Sequence, residues 1–145
     1  MFKKDTIEYE CTISPRQLND KLDTIMLEQA KEELVDKCTG YGFIKQIFRI
    51  QKKTEGIITN NSDIIFTLFL EVLICNPQVG EEIECDITDK DDRIGKPMMK
   101  KEPLLVVIFS EDDDIYEIGD TVVGKITDKR IDKTNNMINL LVDVI

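Results

Sequence analysis

The sequence predicts an α+β N-terminal half, an antiparallel sheet carrying one main helix, followed by a small all-β, five-stranded barrel. Three observations predict it. Residues 6–13 alternate with period two and are followed by apolar residues at helical spacing. Five short strand signals crowd into the last 65 or so residues. A twelve-residue segment that opens on a turn glycine also recurs within that half.

In the first half, Ile7, Tyr9, Cys11 and Ile13 fall on one side of a strand and Glu8, Glu10 and Thr12 on the other. Ser14-Pro15-Arg16-Gln17 then reads as a helix start, with Pro15 at the first helical position and Gln17 able to reach back as in a capping box. Leu18, Leu22, Ile25, Met26, Ala30 and Leu34 form the apolar stripe, and Thr39-Gly40-Tyr41-Gly42 is expected to stop the helix in a tight loop. Phe43–Ile50 and Ile64–Cys75 are the next strands, separated by turn chemistry at Lys52–Gly56 and Thr59–Asp63. The second run is almost continuously apolar, which predicts a central strand buried on both faces. Asn76-Pro77-Gln78 breaks it and sets a boundary between residues 1–78 and 79–145.

In the second half, Val79–Lys90 recurs 39 residues later as Ile118–Lys129, with five of twelve positions identical. Each copy reads as a turn glycine, an acid, and a strand burying Ile83, Cys85 and Ile87 or Val122, Gly124 and Ile126. A weak strand at 94–99, an apolar run from Leu104 to Phe109, and an alternating strand at Ile138–Val144 entered through Thr134-Asn135-Asn136 complete a Greek-key barrel.

Composition narrows the chemistry. The chain is 145 residues long, 41% hydrophobic and 33% charged, which suits one compact domain or two small ones and excludes a mostly disordered chain. Net charge is −10: residues 1–80 carry ten Lys/Arg against twelve Asp/Glu, and residues 81–145 nine against seventeen. The acidic half should not seek nucleic acid on electrostatics alone. There is no histidine, so His-based zinc sites and His general bases are excluded, and Cys11, Cys38, Cys75 and Cys85 are too scattered for a metal knuckle. They read as buried small hydrophobes. Glu111-Asp112-Asp113-Asp114 reads as a solvated acidic loop rather than a magnesium site, since no EF-hand spacing follows. No apolar signal region opens the chain and its longest apolar stretch is too short to span a bilayer. The expectation is an intracellular protein with no membrane, metal or cofactor and no catalytic residues. Asn60-Asn61-Ser62 matches a glycosylation sequon, which in such a protein is simply a polar turn.

The order strand, Ser14-Pro15, amphipathic helix, Lys37-Cys38-Thr39-Gly40-Tyr41-Gly42-Phe43-Ile44, then Glu55-Gly56-Ile57-Ile58, a polar turn, a long strand ending at Pro77 and Gly80-Glu81, resembles the stalk subunit seven family of multisubunit DNA-directed RNA polymerases. The resemblance covers essentially the whole chain, and Cys38-Thr39-Gly40 one helix after Ser14-Pro15 is its most specific element. It implies a tip domain joined to an S-one-type OB barrel. The barrel is shortened between Lys90 and Pro103 and lacks the family's aromatic and glycine cluster, a trimming similar to versions from large DNA viruses.

What the resemblance implies is a non-catalytic subunit that docks near the polymerase clamp and guides nascent single-stranded RNA. Its partners would be core subunits and a subunit-four-like helical protein. The docking loops would be Tyr41, Gly42 and Phe43, with Asn60, Asn61, Ser62 and Asp63 nearby. Phe109 is a barrel aromatic for RNA contact, and Lys96, Lys100, Lys101, Lys125, Lys129 and Arg130 are the basic groups dense enough to line a phosphate path. The same residues also read as a core aromatic and ordinary solvated cations. Localisation would be host cytoplasm or virion for a viral protein, the nucleus for a cellular one. The alternative is a free-standing OB-fold RNA-binding protein of translation or RNA decay.

Overall fold

The computed structural model describes residues 2–90, 93, 95–110 and 116–145. It is mostly β with one α-helix, and it divides into two compact units, Met1–Cys75 and Asn76–Ile145. The acidic run Glu111–Asp114 lies outside the described residues.

The first unit is an antiparallel sheet. Its strands are β1 (Phe2–Ile13), β2 (Lys37–Thr39), β3 (Gly42–Lys53), β4 (Ile57–Ile58) and β5 (Ile64–Cys75), in the order β1-β5-β3-β2 with β4 also on β5. β5 has the bounds its apolar run predicts, but it is not buried on both faces. Phe66, Leu68, Leu70, Val72 and Ile74 are buried, whereas Ile65, Thr67, Phe69, Glu71 and Leu73 are only half-buried. The second face stays open because it carries a polar network: Arg49 and Gln51 donate to one Glu71 carboxylate oxygen, and Gln51 accepts from the Thr6 hydroxyl. Three register shifts in the β3–β5 pairing bend and twist the sheet.

The closed face is covered by helix α1 (Leu22–Leu34), which packs on β1, β2 and β3 and buries Met26 and Ala30 completely. Its bounds correct the sequence reading at both ends. Ser14 and Gln17 do form the expected cap, the Ser14 N–H donating to Gln17 Oε1 at 2.9 Å. The turn they cap is a 3-10 turn over Pro15–Gln17, and Leu18 is left 47% exposed rather than on the buried stripe. Asn19 then accepts from the Lys21 N–H at 2.8 Å, and the α-helix begins there. The helix stops at Leu34, not at the glycine loop. Asp36 takes a left-handed φ of 61° and its N–H turns to the Ile44 carbonyl, so the chain enters β2 before Gly40.

The second unit holds β6 (Glu82–Asp86), β7 (Asp89–Lys90), β8 (Pro97–Lys101), β9 (Leu104–Phe109), β10 (Thr121–Asp132) and β11 (Met137–Val144). Their order is β6-β10-β11-β9-β8-β7, with β9 and β11 parallel. The ends of this order are two halves of one bent segment. The Ile87 N–H donates to the Asp120 carbonyl and the next N–H, of Thr88, to the Met98 carbonyl, so the chain changes partner within one residue and the sheet curls back on itself. Such curling is compatible with a barrel-like OB fold. Cys85, Ile87, Leu104, Val106, Ile108, Ile126, Ile138, Leu140 and Val142 fill it.

The internal repeat acquires a physical meaning here. Its copies pair with each other antiparallel, Cys85 opposite Val122 and Ile83 opposite Gly124. The cross-bonds are reciprocal: Gly80 N–H to Ile126 carbonyl and Gly119 N–H to Ile87 carbonyl, both 2.8 Å. Each opening glycine has a φ near +100°, a conformation that glycine adopts at low cost because it has no Cβ.

Candidate functional site

The residues expected to dock lie in two hairpins of the first unit. Gly40 and Tyr41 make the two-residue turn between β2 and β3, with the Thr39 hydroxyl accepting from the Tyr41 N–H and donating to the Gly42 carbonyl. Gly42 adopts φ 124°, Tyr41 is 47% exposed and Phe43 is half-buried opposite Cys75. The second hairpin runs from β4 to β5. Its turn is closed by Thr59 N–H to Asp63 carbonyl at 2.8 Å, with Ser62 in a left-handed φ of 66°.

These hairpins do not converge. Phe43 pairs with Cys75 at the last residue of β5, whereas Ile57 and Ile58 pair with Ile65 and Ile64 at its first. At about 3.3 Å per residue, the eleven steps of β5 put roughly 35 Å of strand between them. Tyr41–Phe43 and Asn60–Asp63 are not near one another, which corrects the expectation that they form one docking patch. What the sequence reading missed is Ile57 and Ile58, 70% and 74% exposed beside Asn60–Asp63. Their neighbours in the chain, Gly56 and Thr59, flagged only a turn. Gly56 is itself required, because a Cβ there would lie 2.5 Å from Ile64 Cγ2.

The basic residues of the second unit are likewise sorted by register. On the outer face, Lys100, Leu105, Asn139 and Arg130 stand in one row across β8, β9, β11 and β10. The next row is Met98, Val107, Leu141 and Asp128. Phe109 lies beyond, with the Lys96 ammonium 4.9 Å from its ring centroid. Phe109 is half-buried on this face rather than in the core. The result is an apolar floor of Leu105, Val107, Leu141, Met98 and Phe109 flanked by Lys96, Lys100 and Arg130, with Asp128 and Asp143 in register beside Leu141 and Phe109. Asn139 Oδ1, in the first row, is buried with no hydrogen-bond partner among the described residues.

The remaining cations do not join them. Lys125 stands in register between Glu82 and Asp143, Lys129 bonds Asn76 Oδ1, and Lys101 pairs with Leu104 at the end of β8 beside the following turn. The outer face of β6 adds Glu82, Glu84 and Asp86, which makes that side of the barrel acidic.

Among the described residues no three or more Cys, Asp or Glu side chains are placed to hold a metal, and no helix is long and apolar enough to cross a membrane. All four cysteines are buried and none is in a disulfide. Burial, with Glu33 adding to it, pushes the Cys11 thiol up to about 11, and burial with Asp86 does the same to Cys85, so neither is a poised nucleophile. Tyr9 donates to the Glu33 carboxylate across the sheet–helix boundary, and its phenol is raised by burial first and by that bond second.

The second unit thus has a curled, barrel-like sheet with one apolar face that carries both basic and acidic side chains. No family model matches the chain. It is 26% identical over 88 residues to a protein of Acanthamoeba polyphaga mimivirus that carries the provisional name of a DNA-directed RNA polymerase subunit. The aligned stretch takes in 59% of this chain and 44% of that relative, less than half of the viral protein's length.

Proposed function

We propose that this chain is a non-catalytic stalk subunit of a DNA-directed RNA polymerase, docking to the core near the clamp and guiding nascent RNA. The observation that carries the reading is the distant similarity to the viral polymerase subunit, which supports a subunit role in such an enzyme. The barrel-like second unit, with its apolar floor between Lys96, Lys100 and Arg130, supports the finer reading that it runs beside a single strand. The docking element is the β4–β5 hairpin rather than the Tyr41 turn. Ile57 and Ile58 are solvent-exposed apolar side chains on a hairpin that needs neither for its own core.

The test is a pull-down of purified core polymerase by the full chain, beside thermal denaturation. Ile57→Asp with Ile58→Asp should leave the melting temperature within a few degrees. Losing the burial of two isoleucines should weaken core binding by roughly 2–4 kcal/mol, about thirtyfold to several hundredfold. Tyr41→Ala should leave binding unchanged. Core binding untouched by the isoleucine variant refutes the docking assignment. A native protein that sediments only at monomer size, with none accompanying large polymerase subunits, refutes the function and favours a free-standing RNA-binding protein.

A further inference from the structure

β1 is a twelve-residue edge strand. It pairs with β5 through all twelve residues without a register shift, so it contains neither bulge nor bend. On its outer side no backbone group bonds another segment among the described residues. It holds no proline. A straight edge of this length, with no other segment bonded to it among the described residues, is a template for a further strand.

The edge carries one local guard, and it reveals the phase. The Thr6 N–H donates to the Asp5 carboxylate at 2.8 Å, so it points outward rather than toward β5. N–H and carbonyl groups of successive residues alternate sides, so the even-numbered residues of β1 face the open edge. An incoming antiparallel strand must therefore match them with its own outward-facing residues.

The charges select that strand. The first half of β1 is basic on its open face and the second half acidic, Lys4 against Glu8 and Glu10, all exposed. A copy of β1 laid antiparallel about Ile7 sets Lys4 opposite Glu10 twice, Thr6 opposite Glu8 twice, and every even residue opposite an even one. A parallel copy would set like charges side by side. The same register keeps both helices on one face of the joined sheet, because residues directly opposite in a ladder share a face. The Lys4 ammonium rests 5.0 Å from the Phe48 ring centroid, on the side away from the edge, so pairing with a carboxylate across the seam requires its flexible, exposed side chain to swing off that ring.

We propose that the open edge of β1 is a self-association surface: two copies of this chain pair antiparallel through β1, centred on Ile7, with Lys4 of each against Glu10 of the other. This is independent of the polymerase reading. A single strand seam is small, so the complex should be weak, with a dissociation constant on the order of 10–100 µM.

Sedimentation velocity on the full chain, from a few micromolar to several hundred, tests it. The unaltered chain should pass from monomer to dimer, and raised salt should weaken the dimer severalfold. Lys4→Glu alone and Glu10→Lys alone each set like charges opposite twice and should remain monomeric. Their equimolar mixture should dimerise, since each copy then offers what the other lacks, and the double swap Lys4→Glu/Glu10→Lys should dimerise by itself. Thr6→Pro removes an outward N–H without touching the β5 pairing and should also give monomer. Both charged sites are exposed, so circular dichroism and melting should be unchanged. A chain that stays monomeric at every concentration overturns the proposal. So does association that survives the single reversals, or a mixture no better than its components.

Discussion

Gly124 lies where β10 leaves no room for a side chain against β11, and replacing it by alanine is the sharpest test of the second unit. An alanine Cβ would stand 2.2 Å from Val142 Cγ1 and 2.8 Å from the Asp143 carbonyl oxygen. The first neighbour is a side chain fixed in a fully buried position, the second is backbone, so neither yields cheaply. Overpacking of this kind costs about 1–3 kcal/mol, sometimes more. With a urea dependence near 1 kcal/mol/M for so small a unit, the midpoint should fall by roughly 1–3 M. Far-ultraviolet circular dichroism in urea reads it, and the transition of the 76–145 unit is the one that should move. Val142→Ala removes the nearer obstacle. In that background Gly124→Ala should cost less, but not nothing, because the Asp143 carbonyl remains. Gly40→Ala is the control, since a Cβ there meets nothing within 4 Å. A midpoint for Gly124→Ala within a few tenths of a molar of the parent, or a penalty undiminished by Val142→Ala, would falsify the close-approach argument.

Met26→Ala should destabilise the first unit by about 2–5 kcal/mol, because Met26 is completely buried under the sheet, while Leu18→Ala should change melting little. Equal losses would restore the longer helix. The Cys11 and Cys85 thiols, at about 11 in the folded chain against an ordinary 9.0, favour the folded state below pH 9 and lose that contribution as pH rises toward 11. Stability should thus decline across that window, and Cys11→Ser/Cys85→Ser should flatten the decline. Single-stranded RNA should bind the isolated chain at micromolar levels or weaker. The logarithmic salt slope should be near −2, about three phosphates at 0.7 each, and Lys100→Glu with Arg130→Glu should abolish it. Nanomolar affinity at physiological salt would contradict this.

Much of the architecture is legible because local signals and packing agree. β5 is bounded as its apolar run implies, since Asp63 and Asn76-Pro77 close it on both sides. The repeat was visible as five identities, but not its consequence: nothing in twelve residues says that the copies bond each other. The helix start is not legible because Ser14–Gln17 satisfies its cap within four residues, and only Asn19, re-capping downstream, decides where an α-helix can start. β10 runs straight through Thr127-Asp128-Lys129, a polar triplet, because the register shift between Ile126 and Asp128 absorbs it. The expected nearness of the two loops was not legible for a different reason. Proximity of two hairpins depends on which ends of a shared strand they join, and β5 holds them at opposite ends.

Register also decides how much the barrel could do alone. Of the six basic residues that the sequence offers, Lys125 faces two carboxylates across the ladder, Lys129 is engaged by Asn76, and Lys101 sits at the edge of the row. Three cations beside an apolar floor supply too little counterion release for tight binding in a unit whose residues 81–145 carry −8. In the proposed role such a face would work only where the strand is already near. In the proposed assembly the docking hairpin meets that requirement: attachment through Ile57 and Ile58 would hold the barrel beside emerging transcript at an effective concentration in the millimolar range, above a micromolar dissociation constant. The weakness of the face then becomes useful, since a passing transcript must be released as readily as it is held.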